Sequence, residues 1–406
     1  MLKIDMYIKF NIIKEVFMNP LFQVASQFNI EGEPFYAKQY GNGHINRTYL
    51  VKCKTDGGEV KYILQQINHT VFKNVENLMK NIVAVTNHIY KIMVESNEDI
   101  ENALRVIKTK DGKDYLQDKG KSYELLNSGK YPEFNCIKGD DGHFYRLYNF
   151  VENGIGIETK ATIEEFRSSA LGFARFQKYL DSFDASVLYE TIPNFHNTVV
   201  RFENFKKAIE KDVANRAKNV AEEIEKYASR KHYTNVVVDL LESGEIPTRV
   251  THNDTKLNNV LINLKTLNPV TVIDLDTVMS GSLLYDFGDS IRSGATTGAE
   301  DEKDLTKVNF SLELFEAYVD GFMSELADRI TDKETELLAF GAILMTYECG
   351  LRFLTDYLEN DVYFRVHREN HNLDRTRTQM KLVEDMEKVL PKMNEIVYKY
   401  KNKYSK

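Results

Sequence analysis

Residues 252–259 read HNDTKLNN, and Asp254 is followed by Asn259 and then by Asp274 in VIDLD. A carboxylate, a carboxamide and a second carboxylate are what kinase-style phosphoryl transfer uses. One carboxylate accepts or orients the acceptor hydroxyl; the amide oxygen and the other carboxylate hold Mg²⁺ on the nucleotide phosphates. Hard oxygen ligands suit Mg²⁺, which keeps its other positions for phosphate and water. A plainer reading makes Asp254 a turn residue and Asn258-Asn259 the start of a hairpin. A third makes His252 and the two aspartates a hydrolytic metal site, although no second histidine stands at ligand spacing.

The elements around these residues favour the first reading. NVLIN and VTVIDLD are short apolar strands joined across LKTLNP. A hairpin would bring Asn259, at the start of one strand, to Asp274, at the end of the other. Upstream, YLVKC, VKYILQQI, ALRVIKT and FYRLYNFV are rich in β-branched and aromatic residues. Asp56-Gly57, Asp111-Gly112 and Asp141-Gly142 beside them predict hairpin turns with positive φ. Val75, Leu78, Met79, Ile82, Val83 and Val85 mostly keep helical spacing. One helix inside an antiparallel sheet predicts a small α+β lobe.

From Thr162 onward the chain reads as helix. Thr162 with Glu165 is a capping-box signature. Residues 199–231 read as an amphipathic, heavily charged helix with a solvated face, and 310–328, 334–360 and 373–402 continue in that style. The lobe boundary falls near Glu152-Asn153-Gly154. The expected domains are an extension at 1–17, a nucleotide-binding N-lobe at 18–152 and a catalytic, acceptor-binding C-lobe at 153–406.

The chain has 406 residues and a net charge of -8. That balance argues against a nucleic-acid partner, and an acidic protein that takes a polyanion needs local compensation such as a divalent metal. The three cysteines, Cys53, Cys136 and Cys349, show no metal-ligand spacing; their odd number fits a reducing cytoplasm. No apolar run in the sequence suggests a membrane partner. Asp5, Lys9, Lys14 and Glu15 interrupt any signal-like segment at the N-terminus.

HNDTKLNN resembles the catalytic loop of the aminoglycoside phosphotransferase and choline kinase superfamily, with Asn253 where many members carry Gly. That resemblance implies an α+β, two-lobed protein-kinase-like fold, with a small antiparallel-sheet N-lobe and a large, mainly helical C-lobe. GNGHINRTYLV (41–51), VIDLDTVMSGSLLYDFGDSIRSGA (272–295) and ECGLRFLTDYLENDVYFRVHRENHNLDR (348–375) are similar to N-acetylhexosamine 1-kinases. The resemblance implies an enzyme of carbohydrate metabolism that uses ATP and Mg²⁺ to phosphorylate the anomeric hydroxyl of N-acetylglucosamine or N-acetylgalactosamine. Other small-molecule kinases (for choline, an aminoglycoside or another sugar) stay open, as does a non-catalytic nucleotide-binding protein.

On this resemblance Asp254 is the catalytic base and Asn259 and Asp274 are metal ligands. Asp276 joins the metal shell or holds its geometry. Gly41, Asn42 and Gly43 form the nucleotide loop. The backbone of Asn149, Phe150 and Val151 is expected to take adenine. His44, Arg352 and Tyr363 are sugar contacts. Gln65 and Gln66 stand near the place where protein kinases present a phosphate-pairing lysine, leaving open which cation replaces it; Lys73 is one candidate. Asp289 and Arg292 are expected to bridge and support the metal strand.

Overall fold

Residues alternating between an apolar core face and an open face build the first third of the chain. The computed structural model describes residues 19–41, 43, 45–131, 134, 137, 142–158 and 161–406. The chain divides into two compact units, one ending at Glu152 and the other beginning at Asn153. In the first, strands β1 (Glu33–Gln39), β2 (Arg47–Thr55), β3 (Gly58–Ile67), β4 (Val106–Ile107), β5 (Leu116–Asp118) and β6 (His143–Asn149) form an antiparallel sheet. Its order is β1-β2-β3-β6-β4, with β5 also paired to β6. Tyr49, Val51 and Cys53 of β2, Tyr62 and Leu64 of β3, and Tyr145 and Leu147 of β6 turn to one face and pack together. This is the period-two burial that fixes strand register. Leu21, Val24 and Ala25 of helix α1 (Pro20–Ala25) join that cluster. Helix α2 (Val75–Glu95) buries Val75, Leu78, Met79, Ile82 and Val85.

The hairpin between β2 and β3 departs from expectation. Asp56 and Gly57 make the turn, but the positive φ falls on Gly58 (φ 138°). Thr55 pairs with Gly58, so the glycine serves the strand entry and not the turn centre. The segment ALRVIKT yields only the short β4.

The second unit holds helices α4 (Ile163–Tyr179), α5 (Thr198–Lys211), α6 (Ala221–Ala228), α7 (Val236–Ser243), α8 (Leu283–Gly294), α9 (Leu312–Leu326), α10 (Asp332–Leu358) and α11 (His371–Tyr404); the short α3 (Lys121–Asn127) belongs to the first. Thr162 caps α4 reciprocally: its Oγ1 accepts the Glu165 N–H at 3.2 Å, and Glu165 Oε2 accepts the Thr162 N–H at 2.8 Å. The long charged helix expected at 199–231 is instead broken after Lys211. Asp212 adopts the left-handed region (φ 36°). Its Oδ1 accepts the N–H of Arg216 and of Ala217 at 2.8 and 3.0 Å. A short polar side chain that satisfies nearby backbone amides competes with helix continuation.

Two small sheets interrupt the helices. Strands β7 (Ile155–Gly156), β9 (Val260–Ile262) and β10 (Pro269–Val272) form one, in the order β10-β9-β7; β8 (Arg249–Thr251) and β11 (Met279–Gly281) form the other. Only β9 and β10 were legible as strands. β7, β8 and β11 are two or three residues long, too short to show a period.

Helix α10 organises the core of this unit. It is long and apolar enough to cross a bilayer, but 78% of its apolar window is buried inside the protein. Its cap residue Glu334 is fully buried and also takes Arg249, at the start of β8, with both oxygens (2.7 and 2.9 Å). Helices α8 and α10 approach closely at Gly288 and Gly341. A Cβ on Gly341 would lie 2.9 Å from the Leu284 carbonyl oxygen, and one on Gly288 would collide with the Gly341 carbonyl. Gly288→Ala is therefore expected to lower stability by about 1–3 kcal/mol, the usual cost of overpacking. Thermal unfolding reads this directly; an unchanged melting temperature would show that the two helices do not meet in this way.

Candidate active site

The polar stretch 252–259 lies between β8 and β9 and is held almost residue by residue. Asp286, 2% exposed in the first turn of α8, carries the first part. Its Oδ2 accepts the His252 N–H at 2.9 Å and the Gln177 Nε2–H at 2.8 Å; its Oδ1 accepts the Asn253 N–H at 2.8 Å. Burial pushes the Asp286 carboxyl up from its usual range, while His252 and the donated hydrogen bonds pull the other way. One turn further along α8, Asp289 Oδ2 accepts the Thr255 N–H at 2.9 Å. Ser290 Oγ donates to the Thr255 carbonyl at 3.0 Å, and the Thr255 hydroxyl donates to the Asp286 carbonyl at 2.6 Å.

His252 is fully buried and both ring nitrogens are engaged. Nε2 lies 2.9 Å from the Ile273 carbonyl, and Nδ1 accepts the Asp254 N–H at 3.3 Å. Those partners fix the tautomer with the proton on Nε2. The rings of Phe173 and Phe176 meet the imidazole edge-on at 5.5 and 5.8 Å. His252 is thus a loop-bracing residue, with neither nitrogen left for a metal, and the hydrolytic reading falls. Asn253 adopts φ 63°, a conformation that Gly takes freely and Asn tolerates. Its Nδ2 donates to the Thr277 carbonyl at 2.8 Å.

These contacts present Asp254, half-buried, at the loop tip. Asn259 Nδ2 donates to the Asp254 carbonyl at 2.8 Å and to its carboxylate Oδ2 at 3.2 Å. With the amide nitrogen so committed, Asn259 Oδ1 points to the other side. Antiparallel pairing aligns Val260 with Val272, and the Ile273 N–H donates to the Asn259 carbonyl at 2.9 Å. Asn259 and Asp274 therefore lie just beyond the adjacent ends of β9 and β10, one residue out of step. Asp274 takes the left-handed region (φ 62°, ψ 57°) and is exposed, whereas Asp276 in the same turn is buried. The donor set at this hairpin end is all oxygen and fits Mg²⁺. Among the described residues no group of three or more His, Cys, Asp or Glu side chains gathers as a metal cage; a cation that relies on substrate phosphates needs none.

Lys256 went unremarked in the sequence. Its Nζ lies 2.8 Å from Asp254 Oδ1, and half of its side chain is exposed. The Asp254 carboxylate, with Asp289 behind it, raises the ammonium above the usual lysine range. Asp289 and Arg292 do bridge, at 2.9 Å, but the element they support is the 252–259 loop at Thr255 and not the strand that leads to Asp274. Burial alone would raise the Asp289 carboxyl; Arg292 and Lys256 outweigh it and hold it below its usual range.

Arg352 and Tyr363 come together. The Arg352 guanidinium lies 3.5 Å from the Tyr363 hydroxyl and is ringed by Phe195, Tyr363 and Phe364, with centroids at 5.2, 5.8 and 5.5 Å. The loop bearing Tyr363 hangs on Asp356, whose two oxygens accept the N–H groups of Tyr363 and Phe364 at 2.8 and 2.9 Å.

In the N-terminal unit Gly41 adopts φ 72° and Gly43 is exposed; Asn42 and His44 lie outside the described residues. The amides of Asn149 and Phe150 are already spent, on the carbonyls of Arg105 (3.2 Å) and Lys61 (3.3 Å). The Asn149 side chain ties to Ala103 and Arg105, and Val151 is buried. Any adenine contact by N–H falls to Val151 or later. Gln65 bonds Thr48 at 2.9 Å and the buried Arg146 guanidinium at 2.9 Å. Lys73 is exposed.

The chain belongs to the phosphotransferase enzyme family, whose model matches residues 37–317. Solved structures share its fold. A microcompartment-associated aminopropanol kinase aligns with a TM-score of 0.55 at 15% identity, over 92% of this chain and 98% of that one. An aminoglycoside phosphotransferase from Alicyclobacillus acidocaldarius gives 0.55 at 12% identity, over 93% and 96%. A choline kinase from Cryptosporidium parvum gives 0.51 at 13% identity, over 90% and 93%. At these identities the likeness is one of fold.

Asp286→Asn tests the clamp on the loop. An amide offers one acceptor oxygen in place of two and turns its own donors toward N–H groups. The expected result is a loss of about 1–3 kcal/mol for buried groups left unpaired, read by denaturant unfolding, with activity falling further than stability alone explains. A variant with wild-type stability and turnover would show that the loop does not depend on this carboxylate.

Proposed function

We propose that this phosphotransferase uses ATP and Mg²⁺ to phosphorylate the anomeric hydroxyl of an N-acetylhexosamine, N-acetylglucosamine or N-acetylgalactosamine. The observation that carries the transfer chemistry is the presentation of Asp254 by a loop whose neighbouring groups at His252, Asn253 and Thr255 are held by Asp286, Asp289 and Ser290. Asp254 accepts or orients the acceptor hydroxyl. In-line attack on the terminal phosphoryl group then needs no covalent enzyme intermediate. Asn259, through Oδ1, and Asp274 would hold the cation, with the buried Asp276 as a supporting carboxylate. When bound, Mg²⁺ neutralises charge on the nucleotide phosphates. Lys256 supplies a second cation: paired with Asp254 before substrates bind, it lies within reach of a phosphoryl group brought to that carboxylate.

The sugar assignment draws on the stretches at 41–51, 272–295 and 348–375 and on the meeting of Arg352 with Tyr363. A planar guanidinium donates to ring or acetamide oxygens with a geometry that lysine lacks, and Tyr363 offers a ring face and a hydroxyl together. His44, Gly41, Asn42, Gly43 and the Asn149–Val151 backbone complete the proposed set on the nucleotide and sugar side. Release of ADP against a panel of hexoses, N-acetylhexosamines, choline, aminopropanol and aminoglycosides tests the assignment. Preference for an N-acetylhexosamine supports it, and preference for a cationic acceptor sinks it.

Two variants test the machinery. Asp254→Asn should keep the melting temperature and lower kcat by about 10²–10⁴-fold, the span usual for a general base; near-normal turnover would remove Asp254 from the reaction. Asn259→Ala and Asp274→Ala should each raise the Mg²⁺ concentration giving half-maximal rate. An unshifted metal titration in both would refute the ligand assignment.

A further inference from the structure

We propose that His196 and Glu348 form the floor of the acceptor pocket and accept hydrogen bonds from two neighbouring hydroxyls of an uncharged, polyhydroxylated substrate. The inference rests on the small-molecule kinase reading above and names two residues and a charge rule that it leaves open.

Glu348 sits in the middle of α10 with no exposure, and His196, 8% exposed, lies just before α5. His196 Nδ1 and Glu348 Oε1 are 2.8 Å apart. The other atom of each group, His196 Nε2 and Glu348 Oε2, is buried and has no hydrogen-bond partner. No other hydrogen-bonded pair among the described residues leaves both members in that condition. Buried polar atoms without partners are rare and costly, and each requires an explanation. A bound ligand explains two at once.

The chemistry of that ligand follows from the protons. Glu348 Oε2 can only accept, and His196 Nε2 accepts wherever Nδ1 carries the single ring proton that it gives to the carboxylate. The ligand must donate twice. An ammonium group and a pair of hydroxyls both satisfy that requirement, and charge separates them. Arg352, one turn along α10, places its guanidinium 3.9 Å from Glu348 Oε1. Arg201 acts on the same carboxylate from α5, and its nearness to Arg352 adds to burial in lowering its own proton affinity. Two guanidinium groups already face one carboxylate, so an ammonium ligand would be repelled. Hydroxyls carry no such penalty. The aromatic rings fit the same substrate: Phe195 and Tyr285 flank His196, with centroids at 4.5 and 5.2 Å, and offer apolar faces to sugar C–H groups.

Position supports the role. Tyr285 is next in sequence to Asp286, the clamp on the loop that presents Asp254. Arg352, the neighbour of Glu348, also meets the Tyr363 hydroxyl, at a long 3.5 Å, and Tyr363 is 63% exposed. A sugar oxygen can replace that hydroxyl on Arg352 as the substrate enters.

The test is a cycle of protein and substrate changes in the full-length enzyme. kcat/KM is measured for wild type and Glu348→Gln with N-acetylglucosamine and its 3-deoxy, 4-deoxy and 6-deoxy analogues. One deoxy analogue is expected to lose about 10- to 100-fold with wild type, the range for a hydrogen bond to a charged group. Glu348→Gln is expected to lose a similar factor with the parent sugar and little more with that analogue, while the KM for ATP stays unchanged. His196→Gln repeats the cycle should Glu348→Gln fail to fold. Losses that simply multiply for every analogue in the folded variants overturn the inference and leave the sugar-kinase reading standing. A wild-type enzyme that phosphorylates only cationic acceptors overturns both.

Discussion

A single buried carboxylate, that of Asp286, fixes the shape of the loop that presents Asp254. It costs free energy to bury a charge, and that cost is offset here by three donors arriving from two different directions: the amides of His252 and Asn253, and the side chain of Gln177. Because each donor has one geometry in which it satisfies the carboxylate, the loop has one conformation. The left-handed turn at Asn253, the inward rotation of His252 and the outward presentation of Asp254 all follow. Helix α8 then adds Asp289 and Ser290 one turn beyond Asp286, so that one helical face holds the loop from His252 to Thr255.

The same device recurs at the other candidate site. Asp356, also buried, accepts the amides of Tyr363 and Phe364 and the side chain of Asn372. Asp361 in that loop is held by Arg216, which reaches it from the segment freed when Asp212 ends α5. In both places a candidate side chain, half-buried at Asp254 and exposed at Tyr363, stands on a loop whose backbone is nailed to a helix by a carboxylate. Loops built this way carry chemistry without the mobility that irregular segments usually have.

What could be read from the sequence was local. Asp254, Asn259 and Asp274 were legible because the hairpin that joins them is short, and the Thr162–Glu165 cap because its two partners lie within one turn. The antiparallel sheet and α2 followed from periodicity. The contacts that were not legible join distant segments: Gln177 to Asp286, Arg249 to Glu334, His196 to Glu348. No spacing rule encodes such a pair, since either member alone looks like an ordinary surface residue of a helix or turn. Asp289 with Arg292 shows the intermediate case. Their proximity on one helix face was legible, but which loop their bridge supports was not. The break at Asp212 was missed for a different reason, because the helical pattern of apolar residues resumes beyond it.

Helix α10 divides its labour along its length. At one end Glu334 caps the helix and grips Arg249, at the start of the strand that leads into the Asp254 loop. Further along, Glu348, Arg352 and Asp356 carry the contacts to His196 and to the Tyr363 loop, about 20–35 Å away at 1.5 Å per residue. Between them residues 337–345 are apolar, and this stretch meets α8 where Gly341 faces Gly288. Selection can therefore act on the two ends separately. A lineage could exchange the side chains of the far third, and so change what it recognises, while inheriting unaltered the end that keeps the reaction machinery in place.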